Sequence, residues 1–170
     1  AFADGAVTAP LTTPSIDTLS AQWDVNDDFR MMADVQWTDW SSLRSVDIIR
    51  LDANRTPVGH EPFNWSDTMY WSIGAEWDFS DAFTFRAGFA KDETPTHDAT
   101  RTPRLPDEDR TLFSLGLTWQ VTPASAVDGA YQRIEIDDPT VNIASSSGSL
   151  LTGQFDGHAN LWGVAARFKF

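Results

Sequence analysis

Between residues 70 and 89 the chain reads YWSIGAEWDFSDAFTFRAGF, with an apolar or small side chain at nearly every second position. Trp71, Ile73, Ala75, Trp77 and Phe79 fall on one side, and Ser72, Gly74, Glu76 and Asp78 on the other. After the short break at Ser80, Asp81 and Ala82 the alternation resumes with Phe83, Phe85, Ala87 and Phe89 against Thr84, Arg86 and Gly88. Period two belongs to a strand, whose successive side chains point to opposite faces. The stretch therefore predicts a hairpin with one aromatic face and one face of polar and small residues. A greasy exterior over a polar interior is the pattern of a sheet between lipid and a wet lumen.

The same unit recurs along the chain. Residues 1–14, rich in Ala, Thr and Pro, read as a loop or lead-in, and residues 15–170 as barrel strands. Leu19, Ala21 and Trp23 alternate first; turn chemistry at residues 24–28 follows. Phe29, Met31, Ala33, Val35 and Trp37 form the next strand, expected to run on past Trp40 toward Leu51 with a weaker pattern. Phe113, Leu115, Leu117 and Trp119 make another, then a poorer one reaches Ile136, and Trp162, Val164, Ala166, Phe168 and Phe170 close the chain. Connections at 24–28, 80–82 and 122–125 are short, whereas 52–62, 91–110 and 137–153 are long and read as loops. Outer-membrane barrels have short periplasmic turns and longer extracellular loops. The expected fold is all-β, an antiparallel transmembrane β-barrel with about seven strands in this chain. Seven is odd, so either residues 1–14 hide a strand or the chain is part of a larger barrel.

Composition narrows the function classes. A net charge of -13 offers no basic stripe to meet phosphates, which argues against nucleic acid. No run of about 18 apolar residues occurs, so no transmembrane helix is expected, a statement that leaves barrels untouched. With no cysteine there is no disulfide framework or Cys-based metal site. The first residues, AFADGAVTAP, show no charged segment leading into an apolar core, so no signal peptide is expected there and the chain reads as mature or as a fragment.

Four stretches carry a resemblance: ADVQWTDWSSL at 33–43, the segment 64–89 beginning NWSDT, RTPRLPDEDRTLFSLGLTW at 101–119, and 150–170, beginning LLTGQFD and ending FKF. With them the chain resembles the C-terminal half of the FadL-type family, outer-membrane transporters of long-chain fatty acids and related hydrophobic compounds. The RTPR-x-PD-x-DRT run is the most specific part, since strand patterning alone does not call for it. The resemblance implies a monomeric barrel with roughly twice the strands, plugged by an N-terminal hatch, in the bacterial outer membrane. It implies hydrophobic ligands, fatty acids among them, and the remainder of the barrel as partners. Hatch and gating residues match nothing here and are not carried over.

Candidate chemistry is sparse. Arg30, Asp34, Glu76, Asp78, Arg86, Asp128, Arg167 and Lys169 face inward and could line the lumen or meet a carboxylate; the competing reading pairs them across neighbouring strands. Trp23, Trp37, Trp71, Trp77, Phe79, Phe83, Trp119, Phe168 and Phe170 read as membrane girdles that meet lipid. Alternating terminal aromatics ending in Phe170 have the form of a signal for barrel-assembly machinery. Acidic loop residues such as Asp92, Glu93, Asp107, Glu108 and Asp109 read as a solvated face or as contacts to divalent ions on lipopolysaccharide, with Arg101, Arg104 and Arg110 expected to pair with them. His60, His97 and His158 have no metal spacing, and no metal or other cofactor is expected. The Asn64-Trp65-Ser66 sequon reads as accidental. No phosphate loop, nucleophile elbow or catalytic carboxylate pair is found, so no enzyme is expected. Two other readings stay open: a small complete outer-membrane barrel with a structural or adhesive role, and a soluble Trp-rich glycan-binding β-sandwich.

Overall fold

The computed structural model describes residues 4–98, 101–144 and 148–169. Its main body is one antiparallel sheet built from β2 (Ile16–Asp24), β3 (Phe29–Thr38), β6 (Thr68–Ser80), β7 (Phe83–Asp92), β8 (Arg110–Thr122), β9 (Ser125–Ile136) and β12 (Gly157–Phe168). Each of these seven strands pairs with the next of them in sequence, so the sheet is a meander. The expected seven wall strands are present, and the sheet is open along β2 and β12 among the described residues.

Register explains the two faces. The rung Trp23, Met31, Ala75, Ala87, Leu115, Tyr131, Trp162 runs across all seven strands on the apolar side. Its neighbour Arg30, Glu76, Arg86, Gly116, Ala130, Gly163 lies on the other side. A slip of one residue would exchange the faces wholesale, so lipid on one side fixes the pairing strongly. Large apolar residues on the outward face stay open, Val164 at 84% and Trp162 at 79% exposed, which in water would be a severe liability.

The apolar band also records strand tilt. On β2 the last outward apolar residue is Trp23, on the rung of Trp162, yet on β12 the apolar face continues six residues further, to Phe168. Taking Trp23 and Phe168 as the same interface, a slip of ~20 Å along the strands over ~29 Å of sheet width gives a tilt of about 35°. Transmembrane barrel strands tilt by about that much.

The long connections differ from the expected loops. β3 stops at Thr38, and a 3-10 turn at Trp40–Ser42 intervenes, with Leu43 donating its backbone N–H to the Trp40 carbonyl. The chain then starts β4 (Ser45–Arg50), which pairs with β5 (Pro57–Pro62) and with the two-residue β1 (Val7–Thr8) instead of prolonging the wall. Residues 137–153, read as loop, contain β10 (Thr140–Ala144), paired with β11 (Leu150–Gln154). Beyond the membrane such segments satisfy their backbone groups by pairing among themselves.

Candidate functional site

The inward face carries three zones, and the lowest is ionic. Asp24 on β2 lies 3.9 Å from Arg30 Nε on β3, and Arg30 Nη1 reaches Glu76 Oε1 on β6 at 3.1 Å. Glu76 also accepts from Nε of Arg86 on β7, and Arg86 Nη1 donates to Thr118 Oγ1 on β8 at 2.7 Å. The Thr118 hydroxyl donates to Asp128 Oδ1 on β9 at 2.6 Å, and Asp128 accepts a forked pair from Arg167 on β12, at 2.8 and 3.0 Å. One residue from each of the seven strands thus forms a continuous belt near the short turns. Asp78 joins at its side, 3.8 Å from Arg30 Nη2 and bonded to the Thr84 hydroxyl.

Of the eight inward-facing candidates, Arg30, Glu76, Arg86, Asp128 and Arg167 meet in this belt, in cross-strand pairs, with Asp78 beside them. Asp34 does not; it sits higher on β3 and accepts from Ser72 Oγ at 3.2 Å. Asp24 and Thr118 were not among the candidates. Thr118 carried a usable signal, an inward hydroxyl opposite Asp128 on the next strand. Each arginine of the belt already contacts a carboxylate, so the belt offers a ligand anion no uncommitted guanidinium. Cross-strand pairs of this kind contribute roughly 0.2–1 kcal/mol each.

Above the belt the inward face turns small and mostly uncharged. Met32, Asp34, Ser72, Gly74, Gly88 and Ser114 border a trough of 270 Å³. A Cβ added at Gly88 would stand 3.7 Å from the Ile73 carbonyl oxygen and 3.8 Å from Ser114 Cβ, ordinary contacts, so any larger side chain there would project into the trough.

Tyr70 borders both this trough and a cavity of 470 Å³ at the long-loop end. Its wall comes from the inward rungs of Gln36, Thr38, Thr68 and Tyr70; its cover is Trp40, Trp65, Pro95, Leu105 and Pro106 from the connections. Trp40 and Trp65 meet edge-on at 5.0 Å, and Phe63 packs on Trp65 at 4.8 Å. No single strand pattern announces this cluster, because its parts come from separate connections.

Arginines and hydrogen bonds tie those connections together. Arg101, 2% exposed, bonds Asp98, Glu108 and Thr96, the Asp107 carbonyl at 2.9 Å, and the Thr140 carbonyl at 3.2 Å on β10. Arg104 Nη2 meets Glu61 Oε2 of β5 at 2.9 Å, and Arg110 bonds Asp107 and, at 3.3 Å, Asp92. The expected pairing with the acidic residues of this connection is observed for Arg101 and Arg110, whereas Arg104 meets Glu61 of β5 instead. Ser66 Oγ lies 2.9 Å from His97 Nε2, and His60 Nδ1 lies 2.6 Å from Asp47. The Ser41 N–H donates to Asp67 at 2.8 Å and holds its carboxyl below the usual range; the Thr56 N–H and hydroxyl do the same for Asp52. Asp92, beyond the apolar band beside Lys91, is pushed up by burial and by Asp107, Asp109 and Glu93, with Arg110 opposing.

On the outward face Trp77, Phe79, Phe83 and Trp119 form a row near the short turns, with successive ring centroids 5.7, 5.7 and 6.3 Å apart. Trp71, Phe89 and Phe113 form a second row near the long connections, at 5.5 and 5.2 Å. Trp37 lies at that end of β3, Trp23 at the short-turn end of β2, and Phe168 at the end of β12. Phe170 lies outside the described residues. On β8 the outward apolar stretch from Phe113 to Val121 runs ~27 Å along the strand, about 21–22 Å of depth at 35–40° of tilt, close to an apolar band of about 25 Å.

The family model described as outer membrane protein transport protein (OMPP1/FadL/TodX) matches residues 3–170. The chain belongs to this family. It is 29% identical to the 47 kDa outer membrane protein of Pasteurella multocida, over 96% of this chain and 36% of that protein. It is 28% identical to the long-chain fatty acid transport protein of Escherichia coli, over 89% of this chain and 33% of the other. The crystal structure of a Pseudomonas aeruginosa FadL homologue superposes with a TM-score of 0.86 at 28% identity, over 96% of this chain and 37% of that one. The chain thus spans about a third of the length of these relatives. The family is one of outer-membrane transport proteins, not enzymes, and membership places this chain in the outer membrane as barrel wall. It favours neither the small adhesive barrel nor the soluble glycan-binding sandwich.

Proposed function

We propose that this chain supplies seven wall strands of a path for passive uptake of hydrophobic molecules, long-chain fatty acids among them. The observation that carries the reading is the succession along the inward face: an aromatic-capped cavity and a trough kept clear by Gly74 and Gly88 lie next to each other, both bordered by Tyr70. An apolar molecule entering such a cavity leaves water, and that removal of apolar surface drives capture without covalent chemistry. The belt below holds the register of the wall, and Arg30, Glu76, Arg86, Asp128 and Arg167 act there through one another; Asp34 lines the trough. The name of the Escherichia coli relative supports the fatty-acid part of the reading.

The partners follow from the two faces. Trp23, Trp37, Trp71, Trp77, Trp119 and Phe168 anchor the wall in the lipid interfaces, and the acidic loops face lipopolysaccharide. The two sheet edges meet the rest of the barrel, because an open edge in hydrocarbon leaves backbone groups unpaired. The terminal aromatics, with Phe170, serve recognition by barrel-assembly machinery.

The test is Gly88→Phe in the whole protein. Uptake of a radiolabelled long-chain fatty acid should fall to the level of cells lacking the protein, while surface abundance and heat-resistant folding hold. Undiminished uptake by a correctly inserted variant would remove the trough from the path.

A further inference from the structure

The cavity at the long-loop end carries a charge pattern that bears on which hydrophobic molecules enter it, given the reading above that it belongs to the ligand path. Its described lining holds Asp92, Glu93 and Asp107 against one cation, Arg110. Arg110 is committed to Asp92, at 3.3 Å, and to Asp107. Glu93 is held by a neutral donor, the Met69 N–H, at 2.8 Å, which leaves its negative charge in place. The apolar part of the lining is Ile16, Trp40, Trp65, Tyr70, Leu105 and Pro106.

We propose that this cavity selects uncharged apolar molecules, including fatty acids in their protonated form, and turns away ionised carboxylates. Aromatic and aliphatic walls serve both kinds of ligand equally through their chains. The headgroup decides between them, because an anion near a net negative lining is repelled, and protein surroundings screen that repulsion far less than bulk water. A carboxylate should bind on the order of tenfold or more weakly than the alcohol of equal chain length.

The experiment uses the whole protein in lipid nanodiscs, with tryptophan fluorescence quenched by a brominated long-chain alcohol or by the brominated carboxylic acid of the same length. Measurements are made above the carboxyl's titration range and corrected for partition into protein-free nanodiscs. Quenching that depends on Trp40 and Trp65, as shown by its loss in the W40F/W65F variant, reports the cavity. The proposal expects the alcohol to quench at about tenfold lower concentration, and Glu93→Gln to narrow that gap by strengthening the acid. Equal quenching by acid and alcohol in the parent protein would overturn the selectivity and leave the path reading standing. No cavity-dependent quenching by either would overturn the use of the cavity as a ligand site altogether.

Discussion

Replacing Arg101 with Met should release the long connection at residues 93–109 while leaving the wall intact. The guanidinium is 2% exposed, and all five of its N–H donors are engaged: Nε with the Asp107 carbonyl, Nη1 with Asp98 and the Thr140 carbonyl, Nη2 with Thr96 and Glu108. Removing one member of a buried ion pair costs about 3–5 kcal/mol when its partners stay dry. Here the Asp98 side chain is 71% exposed and Glu108 23%, so both can recover water once the arginine is gone. The expected loss is therefore about 2–3 kcal/mol, since the Asp107 carbonyl and the Thr96 hydroxyl keep their bond to each other and lose only the charged donor. At ~1.4 kcal/mol per tenfold, the opened population of the connection should rise by roughly 30- to 150-fold. Proteolysis tracks that population when reclosing is fast, so cleavage within 93–109 of the whole protein in outer-membrane vesicles should accelerate by about the same factor. The gel shift of the folded barrel on heating should be unchanged. Arg101→Lys should recover only part of the protection, since a point charge cannot span the same fork. Cleavage of Arg101→Met at the parent rate would refute the reasoning.

Two further outcomes test the wall. Thr118→Val keeps the shape but removes the bridge between Arg86 and Asp128, and should lower barrel stability by about 1–2 kcal/mol in denaturant unfolding from lipid vesicles; an unchanged midpoint would mean the belt is not continuous. Val164→Arg places a charge on the lipid face and should cost about 2–4 kcal/mol in the same assay, whereas Ala165→Arg, one residue on and opposite Asp128, should cost little; equal costs would show the two faces to be misassigned.

The wall strands were legible because lipid on one face and lumen on the other imposes period two, which survives even in the weak stretch of Val127, Gly129 and Tyr131. The same reasoning fails beyond the membrane, where both faces of a hairpin are wet and alternation carries no information. Val46, Ile48 and Ile49 therefore looked like an extension of β3, when the turn at Trp40–Ser42 had already redirected the chain into a separate small sheet. The belt was half legible: charges on an inward face can be read from one strand, but which rung they share depends on register between strands. Asp34, on the right face but two inward positions along β3 from Arg30, shows the difference. The cavity was not legible, since Trp40, Trp65 and Leu105 are brought together only by the clamping of separate connections.

Charge does opposite work at the two ends of the inward face. In the belt, Arg30, Arg86 and Arg167 are set against Asp24, Glu76, Asp78 and Asp128, and nearly all of that charge is consumed within the wall. In the cavity, Asp92, Glu93 and Asp107 face a single cation among the described lining residues, Arg110, and the surplus is directed at whatever enters. The first arrangement fixes strand register and should be visible in stability; the second leaves stability nearly alone and should be visible in ligand choice. The two roles therefore separate by experiment: Thr118→Val should weaken the wall without changing the preference between alcohol and acid, and Glu93→Gln should change the preference without weakening the wall. A single inward face can hold both because the trough between them, edged by Gly74, Gly88 and Ser114, keeps the two sets of charges apart.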